Sequence, residues 1–233
     1  MEEDLTELTG LTESKLARNI TKIIAVRHAE SVANSQGIYQ GQTYDTDLSE
    51  LGKKQAEALA KKAKDVGINR IISSPLKRTY QTAIVISRAC NCPIEISELI
   101  TETNQGEWEG RDKKKIESLY PDIYNTWLTK PSQSVFPKGE AFTQTLARIE
   151  LFLHTVGLTD NTLLVTHDNV LRIMVTLANG WTLDDIWMHN IEPAALNFFE
   201  INKVGGKSKL KVLELNRNEH LGNLRSDIKK HAL

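Results

Sequence analysis

From Thr21 onward, short apolar, β-branched runs alternate with amphipathic stretches, and this alternation sets the expected architecture. Lys22-Ile23-Ile24-Ala25-Val26 has the unbroken apolar character of a strand covered on both faces. A polar loop with Gly37 and Gly41 follows it. Ser49 then stands where an N-cap belongs, ahead of a helix carrying Lys53, Ala56, Leu59, Ala60 and Ala63 that Gly67 ends. Arg70-Ile71-Ile72-Ser73 reads as a second strand. Ser74-Pro75 reads as the N-cap and first position of a helix to about Ala89, with Arg78 in its first turn.

Ile94-Glu95-Ile96 supplies a third strand. Residues 111–130 hold one or two short helices broken at Pro121, and 139–156 form a longer helix with Phe142, Leu146, Ile149 and Leu153 on one face. Thr162-Leu163-Leu164-Val165-Thr166 is another buried strand, and 169–178 has a helical pattern. Residues 195–201 and 210–215 read as two strands of a hairpin turning at Val204-Gly205-Gly206. Strands separated by helices predict an α/β fold, a doubly wound, mainly parallel sheet flanked by helices, with an antiparallel edge strand.

Composition changes this picture little. With 233 residues, 40% of them apolar and 25% charged, the chain is long enough for a large core, and no Pro-, Gly- or Ser-rich linker divides it. The expected organisation is an N-terminal extension over 1–20, one domain over 21–217 and a peripheral C-terminal tail over 218–233. Residues 1–18 are acidic and polar, without the features of a secretory signal, and no stretch is apolar enough to cross a bilayer. A cytoplasmic location is the expectation.

A formal net charge of −1 gives no overall field that would gather nucleic acid or an anionic membrane, so any anion site must be local. Cys90 and Cys92 are one residue apart, which suits neither a disulfide framework nor paired zinc ligands, and they read as buried or half-buried thiols.

Candidate chemistry collects behind the strands. In an open α/β sheet, ligands bind beyond the carboxyl ends of the strands. Arg27 and His28 follow the first strand, Ser73, Ser74 and Arg78 the second, Glu102 the third and His167 the fourth. A phosphate monoester dianion needs several fixed cations and N–H donors, because its transition state spreads charge over three equatorial oxygens. Arg27 and Arg78 offer planar forks for such oxygens. A neutral imidazole held through one ring nitrogen can attack phosphorus with the other, which suits His28. His167 would stabilise the transferring group as a cation or donor, and Glu102 would protonate the departing alkoxide and then take a proton from water.

These residues sit in ordered motifs: Val26-Arg27-His28-Ala29-Glu30-Ser31 with Asn34, Leu48-Ser49-x-x-Gly52-x-x-Gln55-Ala56, Ser73-Ser74-Pro75-Leu76-x-Arg78-Thr79-x-Gln81-Thr82-Ala83, Glu102-x-x-x-Gly106-x-Trp108-Glu109-Gly110 and Val165-Thr166-His167. Together they resemble the histidine phosphatase (phosphoglycerate mutase-like) superfamily over roughly residues 21 to 200. The resemblance implies a phosphohydrolase for small phosphate monoesters, with His28 phosphorylated, His167 as second histidine, Arg27 and Arg78 as phosphate clamps and Glu102 as proton donor. It also implies that Asn34, Gln40 and Gly41 border the substrate, that no metal takes part, and that a small phosphorylated metabolite is the partner. Ala29 stands where Gly is usual, and Asp168 and Asn169 stand where Gly is common. Without that Gly, close backbone approach to the phosphate is not assured, and an acid at the helix start would favour the helix electrostatically but also repel phosphate.

Other readings remain beside this one. Mutases of the same superfamily share all the catalytic positions and use a bisphosphoglycerate primer, which would then be the only cofactor. The short stretch between Glu102 and His167 favours a phosphatase. A non-catalytic phosphate-binding module is a further alternative. Asp45 and Asp47 raise the prospect of an aspartyl, magnesium-dependent phosphatase, but they lie on a polar loop rather than behind a buried strand. Lys113-Lys114-Lys115 reads as a solvated helix face, and Trp108 and Trp127 as packing more than pocket entrance. His154, His189, His220 and His231 lack any motif and read as structural or exposed. A homodimer is the assembly to expect of a soluble enzyme.

Overall fold

A computed structural model describes residues 20–204 and 207–232. Strand β1 (Ile20–Arg27) shows how the sheet divides the molecule. Successive strand residues face opposite ways. Ile23 and Ala25 accordingly enter one apolar cluster, and Ile24 and Val26 the other. Strand β2 (Arg70–Ser73) does the same through Ile72 and Ile71, and β4 (Thr162–Thr166) through Leu164 against Leu163 and Val165. Both faces are therefore dry, which explains why these strands read as continuous apolar runs.

The helices that cover the faces follow from their own patterns. Helices α2 (Glu50–Asp65) and α3 (Lys77–Cys90) bury Ala56, Leu59, Ala60, Ala63, Ala83 and Ile86 on one side. Helices α6 (Phe142–Thr155) and α7 (Asp168–Asn179) bury Phe142, Ile149, Phe152 and Leu171 on the other. Five-residue α1 (Val32–Gln36) follows β1, and α4 (Lys113–Leu119) and α5 (Pro121–Thr129) lie between β3 (Ile94–Ile96) and α6. Pro121 opens α5, where its missing N–H costs nothing. Trp108 and Trp127 are packing residues: they make edge-on aromatic contacts with each other and with Tyr39, Trp108 also with Phe136, and tilted ones with Tyr124, and both are buried.

The sheet runs β3-β2-β4-β1-β5-β6. Its first four strands are parallel, and β5 (Leu196–Val204) and β6 (Lys207–Arg217) add antiparallel pairings. This is the mixed, mostly parallel sheet with an antiparallel edge that the pattern predicts. The hairpin turn at 205–206 and nearly all of the expected N-terminal extension lie outside the described residues.

Two expectations need correction. Helix α3 starts at Lys77 rather than at Ser74-Pro75, because the Ser74 hydroxyl faces His167 instead of capping the helix. The stretch after Arg217 is not a peripheral tail. Leu221 joins the α2–α3 core, Ser226 bonds to Gln55 and Glu30, and His231 and Ala232 are buried. Nothing local in the sequence signals this docking, which depends on partners nearly two hundred residues away.

At the start of α2, Ser49 Oγ accepts from Gly52 N–H at 2.9 Å and donates to Glu30 Oε1 at 2.7 Å. A methyl group at Gly52 would lie 1.9 Å from the Glu30 carbonyl oxygen, so the motif glycine is needed for close approach. Gly52→Ala is expected to lose about 1–3 kcal/mol or more of unfolding free energy in urea titrations. Gly157→Ala is the control, since nothing among the described residues lies within 4 Å of the added carbon.

Candidate active site

Strand register places the candidate groups. Arg27 pairs with Thr166 across β1 and β4, and Ser73 with Val165 across β2 and β4, so residues 27–28, 73–74 and 167–168 emerge along one carboxyl edge. Glu102 reaches the same place through a short 3-10 turn (Glu98–Ile100) after β3.

His28 is held at both ring nitrogens. Nδ1–H donates to the Ala29 carbonyl at 2.8 Å, and Nε2 accepts from Arg78 Nε–H at 3.2 Å. A carbonyl only accepts and a guanidinium only donates, so the network fixes the neutral tautomer with its lone pair on Nε2. Burial, then the charges of Arg78 and Arg27, keep the ring's pKa well below the ordinary histidine value.

His167 lies 5.4 Å from His28 between ring centroids, edge-on. Its Nε2 shares a 2.8 Å hydrogen bond with Ser74 Oγ, while its Nδ1 is buried and has no partner among the described residues. Burial, then the charge of Arg78, again lowers its pKa well below the ordinary histidine value. It stands behind His28 and does not itself line the small cavity described below.

The two guanidinium groups are buried. Arg78 donates from Nη1 to Asp45 Oδ1 at 3.0 Å and from Nη2 to the Gly41 carbonyl at 2.8 Å. Asp45 also accepts from the Lys77 amide, so the loop aspartate serves as the counter-ion of Arg78 and the anchor of α3. Arg27 Nη1 donates to Asp168 Oδ1 and to the Ile191 carbonyl, both at 3.0 Å, and Arg27 Nε is buried without a partner among the described residues. A buried polar atom left unpaired is costly, and a phosphate oxygen would satisfy it.

Asp168 is not a bare repulsive charge. It sits between Arg27 and Arg172, which donates to it from Nε at 2.5 Å. The i,i+4 spacing on α7 makes that second pair. Glu102 accepts from the Thr103 amide at 2.8 Å. Burial, only partly opposed by Arg78, pushes its pKa up to about 7.

Arg27, His28, Asn34, Gln40, Gly41, Arg78 and Glu102 line one cavity of about 30 Å³, together with Asp168 and Ala232. All the expected contact residues except His167 are thus at its wall. Gln40 is fixed by Ser31 Oγ and Thr46 Oγ1, and Asn34 caps against Ser31. Gly41 has φ +57, and an added Cβ would meet Glu109 Oε1 at 2.0 Å. Glu109 ties the cavity's mouth together, accepting from the backbone amides of Gln42, Thr43, Tyr44 and Gln105. Sequence reasoning missed the pairings of Ser74, Asp45, Glu109, Asp168 and Arg172. Of these, only the i,i+4 spacing of Asp168 and Arg172 was readable. His231, read as structural or exposed, is buried with Nδ1 accepting from Arg27 Nη2 at 3.3 Å.

The raised Glu102 pKa links to stability. A carboxyl whose folded pKa exceeds its ordinary 4.5 stabilises the fold below that value, and the contribution is lost as pH rises through about 7. Glu102→Gln is therefore expected to melt above wild type by a few degrees at pH 8, with the gap shrinking at pH 5. Scanning calorimetry at both pH values checks this.

Known proteins resemble the chain in the same terms. The sequence profile of the histidine phosphatase superfamily (branch 1) matches residues 23–213. Phosphoserine phosphatase 1 of Hydrogenobacter thermophilus is 34% identical over 206 residues, spanning 87% of this chain and 95% of that protein. The metal-independent phosphoserine phosphatase of Arabidopsis thaliana is 33% identical over 165 residues, 68% of each chain. Mycobacterial glucosyl-3-phosphoglycerate phosphatase shares the fold, with a TM-score of 0.73 at 21% identity over 84% of this chain and 99% of that one. Phosphatases rather than mutases are among these relatives, and the mutase alternative is not favoured. The chain belongs to the histidine phosphatase superfamily and is a phosphohydrolase of that type, a phosphomonoesterase.

Proposed function

We propose that this enzyme hydrolyses small phosphate monoesters in two steps through a phosphohistidine on His28, without a metal or other cofactor. In the first step His28 Nε2 attacks phosphorus and the P–O bond to the leaving group breaks. Protonated Glu102 gives its proton to the departing alkoxide, which leaves as an alcohol. In the second step water attacks the same phosphorus, the P–N bond breaks, and the Glu102 carboxylate takes the water's proton. His28 and Glu102 are thereby restored, and inorganic phosphate is released.

One observation carries this reading. His28 is clamped with Nδ1–H on Ala29 and a free-base Nε2, at the wall of the cavity that Glu102 also lines. A nucleophile without its proton and an acid with one, both near neutral pH, is the pairing the first step requires. Arg27 and Arg78 supply the cationic charge that a metal ion supplies in other phosphatases, with Arg27 Nε, unpaired among the described residues, left for an oxygen acceptor. Asn34, Gln40 and Gly41 would border the phosphate and its ester oxygen. The free thiols of Cys90 and Cys92 suit a reducing compartment, and we place the enzyme in the cytoplasm.

The reading is tested on purified enzyme with a general phosphomonoester in excess chelator. Turnover should persist, and His28→Ala should remove about three orders of magnitude or more, with the acid-labile phosphoenzyme vanishing. Chelator-sensitive turnover, or a phosphoenzyme that survives His28→Ala, would overturn it. Glu102→Gln should cost about 10²–10⁴-fold on an alkyl phosphate and much less on p-nitrophenyl phosphate, whose leaving group needs no proton.

A further inference from the structure

Glu102 stands on a segment with no regular structure of its own, since residues 101–105 belong to neither helix nor strand. The backbone carbonyls there need partners from elsewhere. Side chains supply them. Arg148, in the second turn of α6, donates from Nη1 to the Leu99 and Thr101 carbonyls at 3.0 Å each and from Nη2 to the Glu102 carbonyl at 3.3 Å. Thr166 Oγ1, at the end of β4, donates to the Ile100 carbonyl at 2.7 Å, and Gln42 Nε2 reaches the Glu102 carbonyl at 2.7 Å. The carbonyls of residues 99 to 102 are thus all held by side chains, most of them by Arg148.

The other edge of the same guanidinium lies on Glu140. Arg148 Nε donates to Glu140 Oε1 at 2.8 Å and Nη2 to Oε2 at 3.0 Å, the paired geometry of a guanidinium–carboxylate fork. Glu140 Oε2 also accepts from the Asn104 amide at 2.8 Å, and the Glu140 amide donates to the Asn104 carbonyl at 2.8 Å. One turn before Arg148 on α6, Thr145 Oγ1 lies 3.0 Å from Thr103 Oγ1, and the Thr103 amide is the donor to the Glu102 carboxyl. Residues on both sides of Glu102 are therefore tied to the start of α6.

A guanidinium has five N–H groups, and these contacts engage all of those on Arg148. None is left for a ligand, and Arg148 stands apart from the residues that line the catalytic cavity. Its contacts serve the segment that carries the acid. That service matters to the chemistry, because an acid must lie within hydrogen-bond reach of the oxygen it protonates, and a displacement of about 1 Å can cost about 10²-fold in rate.

We propose that Arg148, paired with Glu140, is a positioning residue for the reaction: it fixes the backbone of residues 99–104 so that the Glu102 carboxyl faces the departing oxygen. This rests on the reading of Glu102 as proton donor. Lysine cannot take its place, since an ammonium is a single point of charge where a planar fork spans several carbonyls and a carboxylate at once.

The test reads kcat/KM, which covers the steps up to phosphoryl transfer to His28, on an alkyl phosphate and on p-nitrophenyl phosphate. Calorimetry sets an assay temperature at which every variant is folded. Arg148→Lys is expected to lose more on the alkyl phosphate than on p-nitrophenyl phosphate, by about tenfold or more, because only the alkoxide needs a well-placed proton to depart. Glu140→Gln, which weakens the other half of the pair, should show the same selectivity. In a Glu102→Gln background, Arg148→Lys should add less than about threefold on the alkyl phosphate, since the group it positions is gone. Equal losses on the two substrates, or losses that multiply in the double variant, would sink the proposal and leave Arg148 a purely structural residue. Glu102→Gln alone separates the two readings: if it discriminates between the substrates and Arg148→Lys does not, only the positioning role falls. If Glu102→Gln does not discriminate either, the proton-donor reading falls and takes the positioning role with it.

Discussion

Two guanidinium groups are buried around two imidazoles that must stay uncharged, and this constraint governs the rest of the molecule. In a dry site, the positive field of Arg27 and Arg78 adds to desolvation and drives the protons off His28 and His167. The same burial keeps a proton on Glu102. The site thus combines fixed cations with an uncharged His28 and a carboxyl of raised pKa, and among the described residues Arg27 Nε has no acceptor. A dianion bound in the cavity would give Arg27 Nε the acceptor it lacks. On the proposed mechanism, binding and transition-state stabilisation would then draw on one set of interactions that needs little rearrangement.

The fold makes that arrangement affordable by distributing counter-charge outside the reacting space. Asp45 neutralises Arg78 from the loop before α2, and Asp168 is shared by Arg27 and Arg172 from the first turn of α7. Among the described residues, Arg78 Nε–H is the group that contacts His28 Nε2. The parallel order β2-β4-β1 brings the three strand ends side by side, and cores on both faces of the sheet hold them there.

Much of this was legible because it is local. Apolar runs and caps located the strands and most helices, and the proposed nucleophile, clamps and acid sit in short motifs directly behind strands. What escaped sequence reading is relational. Asp168 read as a charge that would repel phosphate, since nothing in the sequence showed that Arg27 and Arg172 would flank it. Ser74 read as a helix cap because capping depends on neighbours in sequence, whereas its hydrogen bond to His167 spans 93 positions. His231 looked like a stray surface residue, yet it lies against Arg27 across 204 positions. Pattern reports what a residue does for its own element and is blind to service rendered to a distant one.

Glu109 shows what such service can mean. One carboxylate gathers four amides from two loops that are sixty residues apart, so the loops at the mouth form a single mechanical unit. Little conformational freedom is left there to lose on binding, which favours fast, low-entropy capture. It also limits how this scaffold can diversify: a lengthened or shortened loop on either side must be matched by its neighbour, and novelty in ligand choice is more easily gained at the opposite wall.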